Sequence, residues 1–129
     1  MPPDAGPPVG PAATRHVTEI LERLAATEGM RYAYLVSGQV VMASGGEPDP
    51  ERAGKIVSLV RTISDVTKRA AKSMNHGEVV QVLMFGTEGM VMVSPSRMGV
   101  LAAVAGAGVK VGLLRLALND CLKKLGEVS

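Results

Sequence analysis

The side chains best suited to chemistry in this 129-residue sequence are two histidines, one cysteine and a few serines. His16 falls in an expected helix and His76 in the turn Asn75-His76-Gly77. Neither has a Cys or acid at metal-ligand or catalytic spacing, so both read as surface histidines. Cys121 is the only cysteine. It excludes an internal disulfide and a Cys-based zinc site within one chain. Its place near the apolar side of the last helix suits a buried, inert thiol better than a nucleophile. Ser37, Ser44 and Ser94 are expected in turns and have no nucleophile-elbow motif around them. Gly106-Ala107-Gly108 follows a strand and opens a helix, but the third glycine of a dinucleotide fingerprint falls one place late, at Gly112. Lys110 lacks Walker spacing. The segment reads as a tight strand-to-helix turn. No carboxylate pair is arranged for general acid–base work. No catalytic, metal-binding or cofactor-binding residue is assigned, and the expectation is a protein without enzymatic activity.

The totals narrow the field further. Fourteen Lys and Arg against twelve Asp and Glu give a formal charge of +2, without the basic excess of nucleic-acid binders. Tyr32, Tyr34 and Phe85 are the only aromatics, too few for a single-strand stacking platform. The core must therefore come from Val, Leu, Ile, Ala and Met. No apolar run is long enough to span a bilayer, and the first residues lack the charge and apolar pattern of a secretory leader. A soluble cytoplasmic protein is expected.

The elements follow from periodicity. Residues 1–13 form a Pro/Gly-rich stretch expected to be a disordered tail, and residues 14–129 a single domain. Thr14 is a candidate N-cap. Val17, Ile20, Leu21, Leu24 and Ala25 then recur at helical spacing, with a stop at Gly29. Strands are expected at 30–36 and 39–43, turning at Ser37-Gly38. After Pro48-Asp49-Pro50, a long helix is expected over 51–74, with Ile56, Val57, Leu59, Val60, Ile63, Val66, Ala70, Ala71 and Met74 on one side. Strands follow at 79–85, 90–94 and 99–105, with connections short enough to make antiparallel neighbours. A last helix is expected over 109–125, with Val111, Leu114, Leu118, Leu122 and Leu125 inward and Gly126 as its stop. The order α-β-β-α-β-β-β-α is that of an α+β layer fold on an antiparallel sheet.

Two features point to association. The run Val79, Val80, Gln81, Val82, Leu83, Met84 and Phe85 has one polar interruption. A half-exposed strand should alternate more clearly, so this one is either central and buried or an edge that pairs with another chain. The long helix is apolar over about half its circumference, more than one sheet face needs. Its opposite face carries Lys55, Arg61, Lys68, Arg69 and Lys72 against Asp65. That face reads either as an ordinary solvated surface or as a basic docking surface for an acidic partner. Met84, Met90 and Met92 fit core filling or an adaptable interface.

Several local patterns resemble the Roadblock dynein-light-chain family. They are the hairpin from Tyr32-Ala-Tyr-Leu-Val-Ser to Gly38-Gln-Val-Val-Met-Ala43, the stretch Gly77-Glu-Val-Val-Gln-Val82, and Val111-Gly-Leu-Leu-Arg115. Their order and spacing cover about residues 14–126. The Ser37-Gly38 turn departs from the longer Asp-Gly turn that members often have. The resemblance implies a five-stranded antiparallel sheet and a homodimer joined third strand to third strand. The long helices would then lie side by side through residues such as Leu59 and Val66. It implies a small Ras-like GTPase as partner, as in the bacterial gliding-motility branch, docked near the paired long helices. Lys55, Arg61, Asp65, Arg69 and Lys72 are then the expected contacts. A scaffold subunit without effect on nucleotide turnover, or a small-ligand sensor with a pocket between helix and sheet, are the alternative roles.

Overall fold

The computed structural model describes residues 11–47 and 49–128, with side chains from Ala13 onward. The elements run α1 (Pro11–Ala25), β1 (Met30–Ser37), β2 (Val40–Gly45), α2 (Pro50–Ser73), β3 (Val82–Phe85), β4 (Gly89–Ser96), β5 (Gly99–Gly106) and α3 (Val111–Val128). The strands form one antiparallel sheet in the order β2-β1-β5-β4-β3. The expected α+β architecture and element order are those observed. Among the described residues, no helix is long and apolar enough to cross a membrane.

Each face of the sheet has its own core. Val17, Ile20, Leu21 and Leu24 of α1 and Leu114, Leu118, Cys121 and Leu125 of α3 bury against Ala33, Leu35, Leu101, Ala103, Met90 and Met92. Side chains alternate along a strand, so Tyr34, Val36 and Ala102 point the other way. There they meet Ile56 and Val60 of α2. Burying a leucine fully contributes about 1.5–3 kcal/mol. Leu21, Leu35, Leu101, Leu114, Leu118 and Leu125 are all below 2% exposed on the α1/α3 side.

Several boundaries differ from the sequence expectation. Helix α1 begins at Pro11, inside the stretch expected to be tail, so Thr14 lies within the helix instead of capping it. Proline suits a first turn because the N–H it lacks has no helical partner there. The rest of the expected tail, residues 1–10, lies outside the described residues. Helix α1 stops at Ala25, and a turn through Gly29 (φ +89°) leads into β1. Gly126 lies inside α3, which continues to Val128. The β1–β2 turn is centred one residue later than expected. Ser37 pairs with Val40, leaving Gly38 (φ +61°) and Gln39 as its centre, and glycine fits the first position of a type II′ turn.

Strand β3 shows the largest shift. It starts at Val82, not Val79, and it is an edge strand, which removes the central-strand reading of the apolar run. Continuing the register from Val82↔Val93 would set Val80 against Pro95. Proline has no N–H to give a ladder, so pairing with β4 stops. The Gln81 side-chain amide instead donates to Ser94 Oγ at 3.3 Å, satisfying a fully buried hydroxyl.

Candidate interaction surface

Helix α2 and strand β3 carry the features that the sequence marks for association. Asp49 caps α2. Its carboxylate accepts from the backbone N–H of Glu51 at 3.0 Å and of Arg52 at 3.3 Å, satisfying two otherwise unpaired donors of the first turn. Arg52 then ties this end to the sheet. Its guanidinium lies 3.5 Å from the Tyr32 ring centroid, donates to Tyr34 Oη at 3.3 Å and to the Glu47 carbonyl at 2.8 Å, and pairs with Asp49 at 3.4 Å. The hydrogen bond to Tyr34 is the main cause holding its pKa above the ordinary arginine value. Sequence reading missed Arg52. The available signal was two tyrosines two apart, hence on one strand face, before an arginine near a helix cap.

Only Ile56 and Val60 of α2 are buried, with Ala53, Val57 and Leu59 partly buried beside them. Beyond Val60 the apolar side loses its cover: Val66 is 59% exposed and Met74 63%. At about 100° per residue, Val66, Ala70 and Leu59 form a flank between the buried side and the charged side. Arg61, Asp65, Lys68 and Lys72 fall within roughly 60° of one another on the face opposite Ile56 and Val60. Lys55, Arg61, Asp65, Arg69 and Lys72 are all exposed. Lys55 is 3.7 Å from Glu51 across a solvated helix turn, a pair of small consequence. No ion pair is found for the other four among the described residues.

Strand β3 carries exposed apolar residues of its own. Val80 is 79%, Met84 43% and Phe85 64% exposed. With Val66 and Met74, they make five of the eight large hydrophobic residues left exposed among the described residues. An exposed apolar edge is a template for pairing, so Val80, Met84 and Phe85 mark β3 as a candidate for association. The methionines divide by register. Met90 and Met92 are core, whereas Met84 pairs with Val91 on the opposite, α2-side face.

The remaining candidates are plainly placed. His16 and His76 are exposed. Cys121 is buried, and that burial pushes its thiol pKa from 9.0 up to about 12. Gly106-Ala107-Gly108 is the turn between β5 and α3, with Gly108 at φ +80°. Among the described residues, no group of three His, Cys, Asp or Glu is placed to hold a metal ion. An open groove of about 480 Å³ runs beside the β3–β4 hairpin, lined by residues including Arg31, Met84, Phe85, Glu88, Val91 and Val104. It lies along strands, not between helix and sheet where a sensor pocket was expected. Arg31 has no ion pair among the described residues.

A profile of the Roadblock/LC7 domain family matches residues 16–105. The fold is also similar to three solved structures. The gliding protein MglB from Thermus thermophilus has a TM-score of 0.82 at 20% identity, over 93% of each chain. Myxococcus xanthus MglB has a TM-score of 0.80 at 16% identity, over 89% of this chain and 88% of that one. A Roadblock/LC7 domain from Streptomyces avermitilis has a TM-score of 0.76 at 20% identity, over 84% of this chain and 92% of that one. Comparison with curated proteins finds no match.

Proposed function

The chain belongs to the Roadblock/LC7 domain family, and from that premise we propose that it is a non-catalytic homodimeric regulator or adaptor that binds a small Ras-like GTPase in the cytoplasm. The observation that carries this reading is the division of the α2 surface into three sectors. One sector packs on the sheet, a second is apolar and uncovered, and the third is exposed and mostly basic; the β3 edge is open as well.

The division suits two partners at once. The apolar flank (Leu59, Val66) and the edge of β3 are the self-association surface. A copy bound there would remove Val66, Met84 and Phe85 from water. The basic sector (Lys55, Arg61, Asp65, Arg69, Lys72) stays outward on such a dimer. It would meet the acidic side of the GTPase, where charge sets the encounter rate and register more than the final affinity. Regulation would proceed by reshaping the switch loops of the GTPase, since the site offers positioning surfaces and no constellation for phosphoryl transfer.

The test is capture of partners from native lysate with a GTP analogue or GDP, read by mass spectrometry. A Ras-like GTPase enriched in one nucleotide state is the expected result. The triple change Arg61→Glu, Arg69→Glu and Lys72→Glu alters the formal charge by 3 × (−2) = −6, from +2 to −4. It should weaken capture about tenfold or more, with a reduced salt dependence. Unchanged affinity in the folded variant refutes the docking face. Recovery of other proteins with no GTPase in either state favours a scaffold instead.

A further inference from the structure

The outward stripe of α2 is basic with one exception. Over residues 61–72 the charged side chains are Arg61, Lys68, Arg69 and Lys72, and one carboxylate, Asp65. All five are exposed. At about 100° per residue, Asp65 points away from the buried Ile56 and Val60 and lies within about 60° of each cation. Arg61 stands one turn before it and Arg69 one turn after, each about 6 Å along the axis. A body that touches both arginines must therefore cover Asp65.

The usual reasons for an aspartate in a helix do not apply at this place. Asp ranks low in helix propensity, so it does not favour the helix itself. It lies about four turns beyond Pro50, far from the first turn, where the helix dipole favours an acid. Nor does it hold a neighbour. The three ion pairs found among the described residues join an acid to a base three or four positions later: Asp49 to Arg52, Glu51 to Lys55 and Asp120 to Lys124. Asp65 has Lys68 and Arg69 at those same spacings and Arg61 four positions before. It forms an ion pair with none of them.

We propose that Asp65 is the specificity-determining residue of the docking face, and that the GTPase surface it meets is acidic with one lysine or arginine set among the acids. This inference rests on the docking reading above and deepens it by naming what the partner must carry. The four cations draw in an acidic surface from a distance, because their fields add. On contact, that surface would press a carboxylate against Asp65 and strip water from two like charges, which is costly. A cation at that one point removes the conflict and fixes the register along the helix. A uniformly anionic partner, such as a nucleic acid or an acidic tail, finds no such relief and is rejected. Asp65 thus weakens binding to acidic surfaces in general and favours one pattern of charge.

The sign of a single substitution tests this. If the face worked by collective positive charge alone, Asp65→Asn and Asp65→Lys would make it more basic and tighten binding. If Asp65 meets a cation, both weaken it. The probe is the GTPase recovered in the capture experiment above, purified and titrated by interferometry against the full chain and its variants. Asp65→Asn should weaken binding about three- to fivefold, the upper range for an exposed pair. Asp65→Lys should weaken it about tenfold or more, through faster dissociation. Asp65→Glu, which keeps the charge, should bind close to the parent. One Lys→Glu or Arg→Glu change on the GTPase should restore the affinity of Asp65→Lys at least about threefold. Equal or tighter binding by Asp65→Asn overturns the proposal, as does a scan of the exposed basic residues of the GTPase that restores nothing. In both cases the docking face stands as long as the triple change of Arg61, Arg69 and Lys72 to Glu weakens binding. If that triple change has no effect, or no GTPase is recovered, the docking reading itself fails and this inference with it.

Discussion

Two glycine-to-alanine changes should move stability in opposite directions, because the space around the two residues differs. Gly45 ends β2 opposite Ala33 and lies directly under α1. A Cβ there would overlap the Leu21 carbonyl and stand 2.7 Å from the Glu22 backbone nitrogen. The obstructing atoms are helix backbone, so no rotamer change relieves the overlap, and α1 must shift from the sheet it packs on. Overpacking by a methyl costs about 1–3 kcal/mol when side chains can yield. Against backbone the expectation is about 3 kcal/mol or more. Gly54 lies in α2 with nothing within 4 Å of a Cβ. Alanine there gains about 0.8–1 kcal/mol of helix propensity. Urea unfolding of both variants at one fixed protein concentration reads the difference as opposite shifts of midpoint at unchanged m. On heating, Gly54→Ala should gain about 3–5 °C. A Gly45→Ala variant within about 1 kcal/mol of the parent, the resolution of an extrapolated unfolding free energy, would refute the close approach of α1 to β2.

The other expectations concern Cys121 and Asp49. The folded thiol is held neutral to about pH 12 whereas an unfolded one ionises near 9.0. The stabilisation is therefore complete below pH 9 and is lost as pH rises toward 12, at about 1.4 kcal/mol per pH unit. Comparison of urea midpoints with Cys121→Ala across that window isolates the contribution, and a parent with no extra alkaline loss contradicts it. Asp49→Ala should lower stability by about 1 kcal/mol, and Asp49→Asn by much less, since asparagine also caps. Equal urea midpoints for Asp49→Ala and the parent would show that the cap contributes nothing.

Much of the fold is written locally. The apolar spacing of Val17, Ile20, Leu21 and Leu24 and of Leu114, Leu118 and Leu125 names the buried sides of α1 and α3, because a helix can bury only residues that recur at its own period. The Pro48-Asp49-Pro50 signal places the start of α2 to within a residue, because capping chemistry is confined to one turn. Family resemblance supplied the five-stranded sheet, and pattern alone supplied its antiparallel hairpins. The candidate surface was legible in part: a strand too apolar for a half-exposed sheet, and a helix with more apolar arc than one face can use.

Only the tertiary structure decided where that excess lies. The run beginning at Val79 is a matched strand only from Val82, because its neighbour in space carries Pro95, thirteen residues further on from Val82. The start of α2 is oriented by Arg52 against Tyr32 and Tyr34, a contact that only folding brings together. Whether Val66 and Met74 are covered depends on how far α2 outruns the sheet beneath it. Sequence thus determined which residues seek burial, since that is a property of each side chain and its period. Strand order, register and the edge left open depend on contacts between distant segments, and these determine which apolar residues of this chain remain uncovered.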